Sequence, residues 1–312
     1  MNRLQKIIVW FIFIYVLSFS SLHAQAVKYI KLTPKNNLSL TYDDTQETSG
    51  NVIAQLSNDK GTTDLNYYVT FDPIPGNRFF TNGNYSIPFE IYDTLQVPRR
   101  ILFDAITATS SEQVLVGIFP TPAFNKAPSD TKTFVIVVPP GGFVPAGTYS
   151  ATLTTHFWEG TFKSGIEKGQ AQLSLKLSVN DILNVVAVPV GANFDFSATQ
   201  MTTDFGYLEI GAMRSFDLIA RANTTYGLSI TSTNGGYLRN NDPGDSSSIP
   251  YTLQINGSSV SLPAGVSVPI VSAKPATNAE GDRYTITAKI LNYDFPTEGL
   301  YSDTLVITIA KN

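Results

Sequence analysis

Two short landmarks occur twice in this chain, in the same order. Ser86-Ile87-Pro88-Phe89-Glu90-Ile91 returns as Ser248-Ile249-Pro250-Tyr251-Thr252-Leu253. Gly147-Thr148-Tyr149-Ser150-Ala151-Thr152-Leu153 returns as Gly299-Leu300-Tyr301-Ser302-Asp303-Thr304-Leu305. An ordered pair repeated in this way points to two homologous domains in tandem. The two copies close differently. Residues 160–179 follow the first closing segment and include another apolar alternation, whereas only Val306 to Asn312 follow the second.

Both copies read as β-structure. Leu173, Leu175, Leu177 and Val179 alternate with Ser174, Lys176 and Ser178. Tyr284, Ile286 and Ala288 alternate with Thr285 and Thr287, and Leu305, Ile307 and Ile309 with Val306 and Thr308. A period of two places one face of a strand on a core. Turn signals recur at Asn82-Gly83, Pro139-Pro140-Gly141-Gly142, Asn234-Gly235-Gly236, Asp242-Pro243-Gly244 and Asn256-Gly257. Many short strands with such punctuation predict an all-β chain of two tandem immunoglobulin-like β-sandwich domains, the second lacking its last strand. The boundary is expected at Asn180-Asp181, giving 27–180 and 181–312. Pro88 and Tyr149 lie 61 positions apart, Pro250 and Tyr301 51, so the first copy carries an insertion. Its expected place is the Pro-rich stretch Phe119-Pro120-Thr121-Pro122-Ala123-Phe124 and the polar residues after it.

Residues 1–26 read as a signal peptide. Arg3 and Lys6 precede an apolar run from Ile7 to Phe19, and Ala24-Gln25-Ala26 offers a cleavage site. The run is shorter than a membrane span requires. Removing Arg3 and Lys6 takes the formal charge from −4 to −6. With no basic run, nucleic acid is not an expected partner. The expected route is export, with passage through the periplasm to the cell surface or beyond. Cysteine is absent, so disulfides do not stabilise the exported chain. About 286 residues remain, enough for two ordinary sandwich cores.

The segment Gly299 to Ile309 resembles the closing strand of spore coat protein U-like domains, the pilin modules of archaic chaperone–usher pili. Asn193-Phe194-Asp195-Phe196, Arg221-Ala222-Asn223, Tyr226-Gly227-Leu228-Ser229-Ile230 and Ile249-Pro250-Tyr251 fall in that family's order. The first copy keeps Tyr67-Tyr68-Val69-Thr70-Phe71 and the two landmarks. The resemblance implies donor-strand complementation, in which a neighbouring pilin subunit supplies the strand that a domain lacks. It implies a periplasmic chaperone and an usher as partners. A complete N-terminal domain followed by an incomplete one is similar to a tip adhesin that attaches to host or abiotic surfaces. Leu305, Ile307 and Ile309 would then line the donor-strand groove. The mature N-terminus, Val27 to Leu32, is expected to form the first domain's own first strand. Two departures stand: many members carry cysteine pairs, and many end near an aromatic residue, where this chain reads Ile309-Ala310-Lys311-Asn312.

No catalytic site, cofactor or metal is expected. His23 leaves with the leader and His156 lies in a strand, so a serine- or cysteine-based nucleophile and a His-rich metal site have no partners. Asp93, Asp104, Asp242 and Asp245 sit at turns, where Asp caps backbone groups. Asp43-Asp44 with Glu47, and Asn240-Asn241-Asp242 with Asp245, supply oxygen ligands but lack the spacing of a calcium loop. Five rings of the first domain flank Gly and Pro: Phe79, Phe80, Phe119, Phe124 and Phe143. They either form surface-binding loops or fold back to close the sandwich end. The reading that follows is a non-enzymatic pilus or surface-structure subunit, with a structural pilin and a free secreted carbohydrate-binding protein as alternatives.

Overall fold

A computed structural model describes residues 30–34, 38–58, 65–119 and 127–312, without the side chains of 30–32 and 34. The leader, residues 27–29 and Phe124 lie outside the described residues.

The first half contains β1 (Ile30–Pro34), β2 (Leu38–Tyr42), β3 (Thr48–Asn58), β4 (Asn66–Asp72), β5 (Phe79–Asn82), β6 (Tyr85–Pro88), β7 (Glu90–Tyr92), β8 (Leu115–Ile118), β9 (Ser129–Val138), β10 (Gly147–Glu159) and β11 (Ile166–Val179). One sheet has the order β1-β3-β9-β7, and the other β2-β11-β10-β4-β8, with β5 and β6 joined to β10. The expected alternation of β11 is present: Leu173, Leu175, Leu177 and Val179 are buried in a core shared with Leu56, Phe71, Phe134, Ile136 and Leu153. The strand reaches back to Ile166, so residues 160–165 alone turn the chain between β10 and β11.

The second half contains β12 (Leu183–Val188), β13 (Met213–Ala222), β14 (Tyr226–Ser232), β15 (Tyr237–Asn240), β16 (Ser248–Ile255), β17 (Ser258–Val260), β18 (Ser267–Lys274), β19 (Asp282–Ile290), β20 (Tyr301–Ser302) and β21 (Leu305–Lys311). Its sheets run β12-β13-β19-β16-β15-β20, with β17 on β16, and β18-β14-β21. A separate core forms from Leu218, Ala220, Leu228, Ile230, Leu253 and Ile286. The chain is thus all-β, two sandwiches in tandem.

The register shows the repeat in space. Phe80 faces Ile87 across β5 and β6, as Leu238 faces Ile249 across β15 and β16. Tyr67 on β4 lies opposite Glu159 of β10 and Gly117 of β8, as Tyr226 on β14 lies opposite Lys311 of β21 and Lys274 of β18. The Tyr67 hydroxyl donates to Asp130 at the start of β9, and the Tyr226 hydroxyl donates to Asp282 at the start of β19. Burial is the first cause that raises both tyrosine pKa values; the Asp130 carboxylate adds to it at Tyr67, and the Tyr284 hydroxyl and then Asp282 add to it at Tyr226. Each copy thus ties its two sheets together with a buried phenol. At the start of each closing strand, Tyr149 donates to the carbonyl of Pro145 (2.9 Å) and Tyr301 to that of Thr297 (2.6 Å). This tyrosine corner fixes the turn that enters the strand. With β8 and β18 matched, the extra residues of the first copy divide between the segment before β8 and the loop after it.

Candidate functional site

The two copies differ at the far side of the closing strand. β10 pairs with β4 on one side and along its full length with β11 on the other. β11 in turn pairs with β2. Among the described residues β21 pairs only with β14, through Leu305↔Ser232, Ile307↔Ile230 and Ile309↔Leu228. The partners on β14 are sealed, with Ile230 0 % and Leu228 1 % exposed. Leu305, Ile307 and Ile309 face the same core but remain half-buried, while Val306 and Thr308 are exposed. On β10 the matched positions, Leu153, Thr155 and Phe157, are buried.

The opposite wall is β12, which pairs with β13 and carries Leu183, Val185 and Ala187 toward the core, all half-buried. Sequence reasoning did not single these out. β12 is apolar on both faces, because Val186 and Val188 pack outward under Phe194 and Ala198. An unbroken apolar run marks a strand covered on both sides and hides which face is which. Parts of β12 and β21 come within 8 Å, yet no ladder joins them. Adjacent paired strands lie about 4.8 Å apart, so a strand between β12 and β21 needs roughly 10 Å from one to the other. Admitting one requires the two walls to part. At the end of the groove nearer the first sandwich, Lys311 pairs with Asp181 at 2.7 Å.

The four described rings, Phe79, Phe80, Phe119 and Phe143, do not form one surface. Phe80 is fully buried against Phe89, with centroids 4.7 Å apart. Phe119 is also fully buried: its amide donates to Leu65 O, and its ring packs on Tyr67 (4.8 Å) and Phe157. For these two the surface-loop expectation is corrected. Phe80 sits on the inward face of the β5–β6 ribbon, and Phe119 continues the β8 ladder into the core. Phe143 is half-buried beneath the Arg221 guanidinium, 4.2 Å from the ring centroid, and Arg221 also pairs with Asp44 at 3.0 Å. It therefore serves the junction between the sandwiches, where the amide of Ala146 donates to Asn223 O and the Asn223 side chain donates to Asn180 O. Phe79 is 42 % exposed.

A different apolar surface lies at the end of the first sandwich away from that junction. On the outer face of its sheet, Tyr68 and Trp158 lie parallel at 5.6 Å, with Phe162 edge-on to Tyr68 at 5.7 Å. Residues 103–114 lie over them, held by Asp104, which accepts from the amides of Ile106 (2.8 Å) and Thr107 (3.0 Å). Burial opposes ionisation of Asp104, but these bonds outweigh it and hold the carboxyl below its ordinary range. The crest of that turn is Ile106, 93 % exposed, beside exposed Val116 and Ile118 on β8.

His156 contacts Asp72 (2.8 Å) and Glu167 (2.7 Å) on the sheet face. Among the described residues no group of three or more His, Asp or Glu side chains could hold a metal ion. An open cleft of about 470 Å³ at the junction is lined by Tyr42, Asp43, Asp44 and Asn180. Two of its polar groups are engaged locally: Asp43 caps Thr45, and the Tyr42 hydroxyl accepts from Gly142 N.

No protein-family model matches the chain, and no curated protein matches it in sequence. Solved structures are similar in fold. A chain of the CsuC–CsuE chaperone–tip adhesion subunit pre-assembly complex, from archaic Csu pili of Acinetobacter baumannii, is 15 % identical. The match covers 89 % of this chain and 99 % of that one, with a TM-score of 0.44. The CupB6 tip adhesin of Pseudomonas aeruginosa is 11 % identical over 90 % of this chain and 94 % of its own, TM-score 0.39. CfaE, the adhesive subunit of CFA/I fimbria of enterotoxigenic Escherichia coli, is 12 % identical over 93 % and 83 %, TM-score 0.35.

Proposed function

We propose that this chain is a subunit of a surface fibre, exported by its leader, whose second sandwich accepts a β-strand from a neighbouring subunit. The observation that carries the reading is the pairing of β21. Among the described residues the strand is paired along one edge where β10 is paired along both, and its inward Leu305, Ile307 and Ile309 are half-buried where the matched Leu153, Thr155 and Phe157 are sealed. An unpaired edge above apolar side chains that still touch water is a template for strand addition. The incoming strand would lie between β12 and β21 and present alternate apolar side chains to the core. During export a chaperone strand would occupy the same place, and an usher would exchange it.

The first sandwich has its closing strand paired on both sides and serves as the binding module, as in a tip adhesin. Its contact surface is the end bearing Ile106, Val116, Ile118 and Phe162, which replaces the Phe80 and Phe119 expectation. A host or abiotic apolar surface would remove these side chains from water, at about 25 cal/mol per Å².

The test is to add a synthetic peptide of alternating apolar residues to the purified full chain. The expected result is a one-to-one complex with a higher melting temperature and new hydrogen-exchange protection confined to β12 and β21. A chain whose β21 amides are already as protected as those of β10, and which ignores the peptide, would overturn the reading.

A further inference from the structure

The second sandwich has a pole away from the first, where β21 begins, and this pole is built rather than loose. Three loops meet there: 199–212, 241–247 and 291–300. The Tyr293 hydroxyl donates to Leu208 O, the amide of Gly211 donates to Ile290 O (3.0 Å), and the amide of Ile290 donates to Ala212 O (3.0 Å). The amide of Asn241 donates to Leu300 O (2.8 Å), and Ser247 bonds Thr297 through their hydroxyls (2.7 Å). Phe205 and Leu208 turn inward and cover the end of the core. Yet the same loops hold Tyr207 at 94 % exposure, Leu300 at 78 % and Phe295 fully in water, with Ile210 and Met213 beside them. Tethered backbone carrying that much apolar surface outward is the signature of a contact face.

Its charge narrows the occupant. Glu209, Asp242, Asp294 and Glu298 are exposed on these loops, and none has an ion pair among the described residues. Arg214 is occupied by the carbonyls of Met213, Asp204 and Phe205. Arg239 and Lys289 lie on the outer faces of their strands. The face thus carries both exposed apolar side chains and unpaired acidic ones.

Its position names the partner. Leu300 and Tyr301 lead directly into β21, and 199–212 leads from the far side of β12 into β13, so the face surrounds the outer mouth of the groove. We infer that this pole seats the folded body of the same subunit whose strand fills the groove, through a surface that carries both apolar and basic side chains. This rests on the strand-accepting reading above. It adds a second point of attachment: the strand holds the neighbour and the seat fixes its orientation. Complementary charge would set the orientation and speed the encounter more than it would add affinity.

The experiment uses the full chain in the cells that make it, with a photo-reactive phenylalanine analogue placed at Ile307 in one variant and at Phe295 in another. The inference expects both positions to trap one and the same polypeptide, identified by mass spectrometry. Ile307 should map to an extended segment of it and Phe295 to its folded part, beside Lys or Arg. Charge reversal by Asp294→Lys with Glu298→Lys should lower the Phe295 product several-fold. If Ile307 traps a polypeptide and Phe295 traps nothing, a different polypeptide or a second copy of this chain, the seat is overturned and strand acceptance stands. If Ile307 traps nothing, strand acceptance fails and the seat fails with it. A Phe295 product indifferent to the charge reversal would overturn the basic character of the partner.

Discussion

The closing strands of the two sandwiches start from one device and finish in different surroundings. Tyr149 and Tyr301 each turn the chain with a hydroxyl bonded to a carbonyl four residues back. Each closing strand then pairs with its copy's equivalent neighbour, β10 with β4 and β21 with β14. β10 goes on to share its other edge with β11, which brings Leu173, Leu175, Leu177 and Val179 over the core. β21 has no such neighbour among the described residues, and Leu305, Ile307 and Ile309 stay half-buried. Similar local sequence therefore lines a sealed core in one copy and a half-buried one in the other. Burial of an apolar position is decided by which strand lies beside it, not by its own alternation.

The largest effect that can break this comparison comes from truncating matched apolar residues. Leu175→Ala leaves a cavity in a sealed core and should cost about 2–5 kcal/mol in urea unfolding of the first sandwich. Ile307→Ala removes a side chain that still touches water and should cost about 1 kcal/mol in the second. With a strand peptide bound, the Ile307→Ala cost should rise toward the Leu175→Ala range. Equal costs in the free chain would mean that β21 is already covered.

A second, smaller effect separates the sandwiches by acid. Asp217, on β13, is buried. It accepts from the amide of Gly191 (2.8 Å), the Thr285 hydroxyl (2.8 Å) and Arg283 Nη1 (2.6 Å). Burial alone would raise its pKa, but these donors outweigh burial and hold it below the ordinary 3.8. A carboxyl depressed on folding stabilises the native state above its unfolded pKa, and that stability is lost as pH falls through the folded value. The second transition should therefore be flat near neutrality and fall steeply below about pH 4. Asp217→Asn should cost about 1–3 kcal/mol at pH 7 and flatten that acid limb. The first sandwich, which relies on Asp130 held down by Tyr67 and Lys132, should keep its own limb unchanged. Loss of the limb in both sandwiches would show that they unfold as one unit.

Much of this was legible from residues, and the failures have a common cause. The period-two runs at 171–179, 284–288 and 305–309 appear as strands with their inward faces as expected. The repeat held more than was read from it: Leu238, the counterpart of Phe80, is an aliphatic residue on the same ribbon, which argues for an inward position at both. Phe119 opens a Pro-rich stretch and reads as a loop residue, but its amide bond to Leu65 O continues the β8 ladder up to the ring. Nothing near Phe143 announces Arg221, because that contact is made by a fold-level junction. Leu183, Val185 and Ala187 were missed because their strand is apolar on both faces. In each case the deciding contact is distant in sequence, and local patterning does not report it.

The smallest effect sharpens the comparison at its starting point. Tyr149 is fully buried, and its hydroxyl bond to Pro145 is partly shielded from water. Tyr301 makes the same bond to Thr297 while half-buried at the mouth of the groove. Removing one hydrogen bond costs about 0.5–1.5 kcal/mol, nearer the top when the orphaned carbonyl is buried and nearer the bottom when water can replace the donor. Tyr149→Phe should therefore lower the first transition by about 1 kcal/mol or more, and Tyr301→Phe should lower the second by only a few tenths. Both variants keep the ring and so leave packing unchanged, which isolates the hydroxyl. Filling the groove with a strand peptide excludes water from the corner, and the Tyr301→Phe cost should then approach that of Tyr149→Phe. If Tyr301→Phe is the costlier substitution in the free chain, the corner is already dry, and the second sandwich is closed by something other than a visiting strand.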